Sequence, residues 1–241
     1  MISTTSSLAD FQAHHAGIYG VTNARHFTAL TITTRIGRYA SRMSKINRKG
    51  IRTEKMFCYL AHVISWTFAA ATSLRLNLED ELLTHFPGRC PYCGRFPCDG
   101  EPANHATGRI QGLTFTPDFV KPQSFDGLQV MMQQIYPHNI LSDSVHHLAG
   151  EEVHEFAEAV ENYSGHPTSG MFVKVREELV DVFANTLAVG NCLKYSMPVA
   201  FIEWFGDGCP HCHESQCRCG YTVAGTGVHS TSVEKLSSAR V

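Results

Sequence analysis

The chain has 241 residues, a formal net charge of −2, and 43% hydrophobic against 17% charged residues. This length allows one large domain or two of about 120 residues each, and the near-neutral charge argues against a nucleic-acid partner. The N-terminus lacks a basic segment followed by an apolar stretch, and the longest apolar run, Met56 to Ala71, is shorter than a bilayer span. We therefore expect no signal peptide and no membrane partner.

Residues 1–100 predict a helical unit that ends in a cysteine cluster. We expect a helix near Ile18 and Tyr19, a long amphipathic helix, a polar loop, a second long helix and a short helix. The unit ends in the motif C-P-x-C-x4-C, formed by Cys90, Cys93 and Cys98. This spacing is typical of zinc ligands, and the fourth ligand would be His105 or Asp99, unless the cluster is metal-free.

A basic segment lies within this first unit. Residues 35–52 carry seven positive charges and no acid. Such a run is typical of a solvated helix face, and it also suits contact with a nucleotide or a nucleic acid.

Residues 101–124 separate the first unit from a second one. The stretch contains glycine, threonine and three prolines, which predicts a linker. Residues 125–220 then repeat the order of the first unit, with a break between the two long helices at residues 164–170 and a cysteine motif at the end. The tail, residues 221–241, contains several Ser and Thr and is predicted to be disordered.

The two units are similar in sequence. FPGRCPYCGRFPC begins at Phe86, and FGDGCPHCHESQC begins 119 positions later at Phe205. At the same offset five upstream residues are identical in both units; in the first unit they are Leu60, Val63, Thr67, Ala69 and Leu74. An offset of 117 aligns further identities, such as Gln12 with Gln129. These matches predict a tandem duplication, and the scarcity of strand signals predicts an all-α fold.

The second unit carries two pairs of acids on its long helices. The pairs are Glu152 with Glu155 and Glu178 with Asp181, each three residues apart. Residues at this spacing lie on one helix face, so antiparallel packing of the two helices would bring four carboxylates together. A divalent cation would relieve their repulsion, and ligation by oxygen alone suits Mg²⁺ or Mn²⁺. The pattern predicts a metal site, although single E-x-x-E pairs are also common on solvated helix faces.

The phrases LAGEEVHEFAEAV and REELVDVFANTLAVGNCL, within residues 125–205, resemble the signature of MazG-like nucleotide pyrophosphohydrolases. This family is related to the dimeric dUTPases and to phosphoribosyl-ATP pyrophosphatase. The resemblance implies a Mg²⁺-dependent enzyme that hydrolyses a nucleoside triphosphate to the monophosphate and pyrophosphate. By the same resemblance the catalytic, metal-binding residues would be Glu152, Glu155, Glu178 and Asp181. Asn191 would contact the nucleotide or be an ordinary surface amide.

The first unit lacks these acids. Arg35 and Arg38 align with the first acidic pair, and Tyr59 and His62 align with the second. Because the family commonly dimerises and some dUTPase relatives are fused duplications, the resemblance implies a pseudo-dimer within the chain with one working site; it also allows a homodimer. Arg35 and Arg38 would bind nucleotide phosphates through their planar guanidinium groups, or would pair with acids of the other unit.

The second cysteine cluster is complete. Its members, in the pattern C-x2-C-x4-C-x-C, are Cys209, Cys212, Cys217 and Cys219. Four thiolates at this spacing suit a closed, structural zinc site. Seven of the nine cysteines thus lie in two metal-ligand clusters, which favours a reducing, cytoplasmic location over a disulfide-bonded secreted protein.

Two classes of function fit these features. The first is the nucleoside triphosphate pyrophosphatase, which the intact set of four acids favours. The second is a regulatory zinc protein that binds a nucleotide or nucleic acid with little turnover, which the basic segment and the degenerate first unit suggest.

Overall fold

The computed structural model describes residues 2–50, 54–100 and 108–219. Over these ranges the chain is all-α and contains no strand, which confirms the predicted fold class. The predicted disordered tail, the candidate ligand His105 and the last two residues of the basic segment lie outside the described residues.

The helices occur in the predicted order in both halves. In the first half they are α1 (Leu8–His26), α2 (Ala29–Arg48), α3 (Glu54–Ser73) and α4 (Leu78–His85). In the second half they are α5 (Phe125–Ile135), α6 (Leu141–His146), α7 (Val153–Gly165), α8 (Ser169–Leu193) and α9 (Met197–Phe205). A π-helical segment, His147–Glu152, joins α6 to α7. The sequence did not predict this change of helical winding.

Side chains with short polar groups fix where the helices begin. Ser7 and Asp10 form a capping box at the start of α1, in which each side chain accepts a hydrogen bond from the other residue's main-chain N–H. Thr28, Ser124 and Thr168 cap α2, α5 and α8 by accepting a hydrogen bond from an N–H in the first turn. Such caps satisfy N–H groups that have no partner inside the helix, and each stabilises the fold by about 1 kcal/mol.

The two long helices α3 and α8 pack against each other at the centre of the bundle. Their fully buried residues Phe68 and Phe183 have ring centroids 6.3 Å apart, and Phe125 of α5 lies 5.8 Å from Phe183. Burial of one such side chain contributes about 1.5–3 kcal/mol. Among the described residues no single helix is long and apolar enough to cross a membrane; α3 and α4 meet that condition only as a pair bent by 98°.

Each half of the chain packs its C-terminal part on the other half. The short helix α4 contacts α8, and α9 contacts α3. Beyond the short helices, the amide of Cys98 donates a 2.8 Å hydrogen bond to the carbonyl of Ile135, and the amide of Cys217 donates one of 2.8 Å to the carbonyl of Ile18. The two cysteine clusters are therefore exchanged between the halves.

Candidate metal centre

Three of the four predicted acids meet in one group. Glu152, Glu178 and Asp181 each place a carboxylate oxygen within 4.8 Å of the others. Glu152 ends the π-helical segment, whereas Glu178 and Asp181 lie one turn apart on α8. Oxygens at this separation can bind one cation together.

The fourth acid, Glu155, lies beside this group. It is exposed in the first turn of α7 and is not among the three oxygens that converge. Partial burial and the nearby Glu178 carboxylate raise its pKa above the usual value. The change from π- to α-helical winding falls between Glu152 and Glu155, so the simple three-residue spacing does not describe how this pair approaches α8.

Burial and mutual repulsion disfavour the ionised forms of the clustered acids. Burial, followed by the charges of Asp181, Glu155 and Glu178, raises the pKa of Glu152 to about 8. Burial raises the pKa of Asp181 to about 6, although the adjacent Arg109 lowers it. A cation bound among the acids would remove both causes, because it would replace the lost solvation and neutralise the repulsion.

Two cations of the protein neutralise part of this charge. The Lys174 ammonium pairs with Glu178 Oε1 along α8, and the Arg109 guanidinium pairs with Asp181. The other Glu178 oxygen, Oε2, is buried and has no hydrogen-bond partner among the described residues. A buried carboxylate oxygen without a partner is costly, and a cation ligand would satisfy it. The donor set therefore fits a divalent metal ion.

Asn185 supports the group from one turn further along α8. Its side-chain Nδ2 donates to Glu152 Oε1 at 3.1 Å and to the main-chain carbonyl of Asp181 at 3.2 Å. Such a contact holds the Glu152 carboxylate in place without occupying the group's centre. Asn185 and Lys174 were not among the residues predicted from the sequence, yet each lies four residues from an acid on α8, and that spacing could have identified them.

Arg109 reaches the acids from the segment predicted to be a linker. The amide of Ile110 donates a 2.8 Å hydrogen bond to the carbonyl of Pro91 in the first cysteine cluster. The guanidinium lies 5.5 Å from the ring centre of Tyr92, whose pKa is raised by burial and then by Asp181. The first cluster and residues 108–110 therefore form one wall of the site, and no sequence pattern indicated this long-range contact.

In the first half, uncharged or cationic side chains occupy the positions that align with the acids. His62 is buried, its Nδ1 lies 2.8 Å from the carbonyl of Cys58, and burial lowers its pKa to about 4. Arg35 lies over Phe27 at 5.4 Å and over Trp66 at 5.9 Å, measured to the ring centres. Arg38 is exposed, and within the described residues neither arginine forms an ion pair with an acid.

Asn191 is engaged with α5. Its Oδ1 accepts a 3.0 Å hydrogen bond from Gln129 Nε2, and its Nδ2 donates a 3.1 Å hydrogen bond to the main-chain carbonyl of Gln129. The predicted contact with a nucleotide would therefore replace or supplement an interaction that fixes α5 on α8.

Both cysteine clusters have the geometry of a metal site. The sulfur atoms of each lie within 4.8 Å of one another; the sets are Cys209, Cys212, Cys217 and Cys219, and Cys90, Cys93 and Cys98. None of the nine cysteines, all of which lie in the described residues, forms a disulfide. In the first cluster the alternative ligand Asp99 pairs instead with Arg95. Four thiolates can hold a metal such as zinc, whereas the described part of the first cluster provides three.

Comparison with known protein families, with characterised proteins and with solved structures finds no match to this chain.

Proposed function

We propose that this protein is a metal-dependent nucleoside triphosphate pyrophosphatase that releases pyrophosphate and a nucleoside monophosphate. The observation that carries the proposal is the convergence of Glu152, Glu178 and Asp181 within 4.8 Å on packed helices, where one buried oxygen of Glu178 has no hydrogen-bond partner among the described residues. Packing alone does not require three acids at one point, since burial there raises the pKa values of Glu152 and Asp181 and so disfavours their charged forms.

Glu152, Glu178 and Asp181 would hold Mg²⁺ or Mn²⁺, with Glu155 at the edge of the site. When bound, the metal supplies charge neutralisation of the triphosphate and a lowered pKa of the attacking water. Glu155 is exposed and is not one of the three converging oxygens, so it is the acid most available to orient or deprotonate that water.

Cationic side chains around the acids would bind the phosphates. Lys174 is largely exposed and pairs with only one oxygen of Glu178, so its ammonium can turn towards a ligand. Arg109 pairs with Asp181 in the described structure, and a planar guanidinium can bind a phosphate group through two hydrogen bonds. Asn185 would keep Glu152 in place while the charges rearrange.

The resemblance to MazG-like pyrophosphohydrolases supports the same reaction, because the four acids of that signature are the acids found here. We also propose that the two halves arose by tandem duplication. Gln12 and Gln129, which align, make the same pair of hydrogen bonds beyond the second long helix of their own half, at 2.7 and 3.0 Å in the first and 2.9 and 2.8 Å in the second. Arg75 and Lys194, which also align, both have φ near +55° where α3 and α8 end (58° and 54°).

The proposed arrangement is a pseudo-dimer within the chain. The exchange of the two cysteine clusters between halves supports it, since each half then depends on the other as two subunits would. Arg35 and Arg38 remain proposed phosphate contacts. Structural zinc in the clusters, and a reducing, cytoplasmic location, would account for nine cysteines without a disulfide.

The proposal is tested by pyrophosphate release from a panel of ribo- and deoxyribonucleoside triphosphates with Mg²⁺ or Mn²⁺. Wild type is compared with Glu178→Gln, and with Glu158→Gln, which alters an exposed acid on α7. Metal-dependent release that is lost only in Glu178→Gln is expected. No release from any nucleotide by folded, zinc-loaded protein would contradict the enzyme proposal and favour a binding function.

A further inference from the structure

A cavity lies between the helices of the first half. It has a volume of about 220 Å³ and is lined by residues of α1, α2 and α3 and by residues that follow α1 and α3. A smaller cavity of about 20 Å³, which holds about one water molecule, shares His15 and Asn23 with it. One water molecule occupies about 30 Å³ in the liquid. The larger cavity therefore has room for about seven water molecules, or for a ligand with about as many non-hydrogen atoms, such as a single aromatic heterocycle.

Two buried polar atoms in the lining have no hydrogen-bond partner among the described residues. They are Nδ1 of His15 and the hydroxyl oxygen of Thr72. His15 is 2% exposed, and its other ring nitrogen lies 3.0 Å from the hydroxyl of Ser65. Burial lowers the pKa of His15 to about 3, so its ring is neutral. Nearly all buried polar atoms of proteins have partners, which indicates that these two atoms face a ligand or solvent.

In the second half, buried or hydrogen-bonded side chains occupy the positions that align with these two residues. Met132 stands where His15 is expected from the 117-residue offset, and it is buried. Asn191 occupies the position that aligns with Thr72, and the oxygen and the nitrogen of its side-chain amide each form a hydrogen bond with Gln129. In the first half the side chain of the aligned Gln12 donates a hydrogen bond to the carbonyl of Leu76 and accepts one from the amide of Leu78, both of which follow α3. Among the described residues, buried polar atoms without a partner therefore occur at this place in the first half and not at the aligned residues of the second half.

The residues that line the cavity indicate the class of ligand that it can bind. It contains no acidic residue, so it does not suit a metal ion, and its single cation, Arg75, is exposed at the edge and cannot neutralise a polyphosphate. Small residues such as Ala16, Gly20 and Ala69 line the cavity together with Phe27. Together with a neutral imidazole and a hydroxyl, each able to donate or accept, this space fits a flat, uncharged heterocycle.

We propose that the cavity between α1 and α3 is a second ligand site that binds a nucleoside through its base, with hydrogen bonds to His15 and Thr72. The site is separate from the carboxylate group and goes beyond the proposed hydrolysis. It needs neither a divalent cation nor a phosphate.

The test is calorimetric titration of the full, zinc-loaded chain with adenosine, guanosine, cytidine, uridine and thymidine, without added Mg²⁺ or Mn²⁺. Three variants are compared after their folding has been checked by thermal unfolding. Thr72→Val removes one open hydroxyl, and Ala16→Leu fills the cavity from a half-buried position. Thr67→Val is the matched control, because its hydroxyl donates to the carbonyl of Val63 within α3 and does not line the cavity.

We expect at least one nucleoside to bind. Thr72→Val should weaken binding about tenfold, as expected for a lost hydrogen bond, and Ala16→Leu should abolish it, while Thr67→Val binds like wild type. The proposal is overturned if folded wild type binds no nucleoside, or if Thr72→Val and Ala16→Leu bind as tightly as wild type. Binding that disappears in Glu178→Gln but survives in Ala16→Leu would place the nucleoside at the carboxylates and also overturn it. Since nucleosides carry no phosphate, these results do not depend on whether the protein hydrolyses triphosphates.

Discussion

The two halves of this chain place different chemistry on one helical frame. At the aligned positions the second half has Glu178 and Asp181, whereas the first half has Tyr59 and His62. His62 is buried among rings, with Tyr39 at 4.6 Å and Phe205 at 5.5 Å between ring centres, and it is neutral at pH 7. The frame is therefore stable without acids.

The acids of the second half oppose folding when they are all ionised. The raised pKa values of Glu152 and Asp181 mean that the folded protein favours their neutral forms. Since the aligned positions of the first half hold no acid, packing alone does not account for the acidic cluster, and the proposed metal site does. Each prediction below tests this contrast between the halves.

The largest expected effect separates matched substitutions in α3 and α8. Glu178→Gln should lower metal-dependent pyrophosphate release by about 1,000-fold or more, because it removes a central metal ligand. Tyr59→Phe, at the aligned position of the first half, should change the rate by less than about twofold. The substitution keeps the aromatic ring and removes only a hydroxyl that is not part of the acidic group. Equal losses in both variants, measured by steady-state kinetics, would contradict a single working site.

The cysteine clusters provide the next contrast. Cys212→Ser should release one equivalent of zinc and lower the free energy of unfolding by about 3 kcal/mol or more, since metal binding contributes directly to folding. Cys93→Ser, in the cluster with three described thiolates, should have a smaller effect. Metal analysis and urea unfolding measure both. A larger loss in Cys93→Ser would show that the first cluster is the stronger zinc site.

Two partly buried ion pairs should respond differently to Mg²⁺. Arg109→Gln leaves Asp181 without its partner, so the metal-free protein should lose about 1–3 kcal/mol of stability at pH 8. Saturating Mg²⁺ should reduce this loss, because the metal replaces the guanidinium as the neutralising charge. In the control, Arg176→Gln breaks a 2.7 Å pair with Glu81 that lies outside the acidic group, so Mg²⁺ should not reduce its effect. Equal responses of both variants would argue against metal binding at Asp181.

The smallest effect is a pH dependence of opposite sign in the two halves. Glu152 has a folded pKa of about 8. Its stabilising contribution to the free energy of unfolding is therefore complete below the unfolded pKa near 4.5 and is lost as pH rises towards 8. His62 has a folded pKa of about 4. Its stabilising contribution to the free energy of unfolding is therefore complete above the unfolded pKa near 6.5 and is lost as pH falls towards 4. The midpoint of thermal unfolding of the metal-free protein should therefore be highest between about pH 4.5 and 6.5, where the two effects offset each other, and should fall on either side.

Two variants assign the limbs of that pH profile. Glu152→Gln should flatten the alkaline limb, and His62→Gln should flatten the acid limb, while both keep the same cysteine clusters. An alkaline limb that is unchanged in Glu152→Gln would show that other groups cause it.

The sequence predicted the helical frame better than the site. Periodic apolar residues and the break at residues 164–170 give the helices correctly, because α7 ends at Gly165 and α8 begins at Ser169. Three acids meet as expected because residues one turn apart share a helix face. The π-helical segment was not predicted, since a single added residue in a helical turn leaves no periodic signal over six residues.

The contacts that complete the site are long-range, and this is why the sequence did not reveal them. Arg109 lies 72 positions from Asp181, in a segment whose glycines and prolines indicate only a loop. Its approach depends on the first cysteine cluster, which packs on the other half through Cys98 and Ile135. Local patterns do not encode that exchange between the halves.

The most direct test of the account is a crystal structure with Mn²⁺ and a non-hydrolysable nucleoside triphosphate, with manganese located by its anomalous scattering. We predict manganese among Glu152, Glu178 and Asp181, with the triphosphate beside it and no manganese near Tyr59 and His62. Nucleotide bound elsewhere, or no manganese at the three acids, would contradict it.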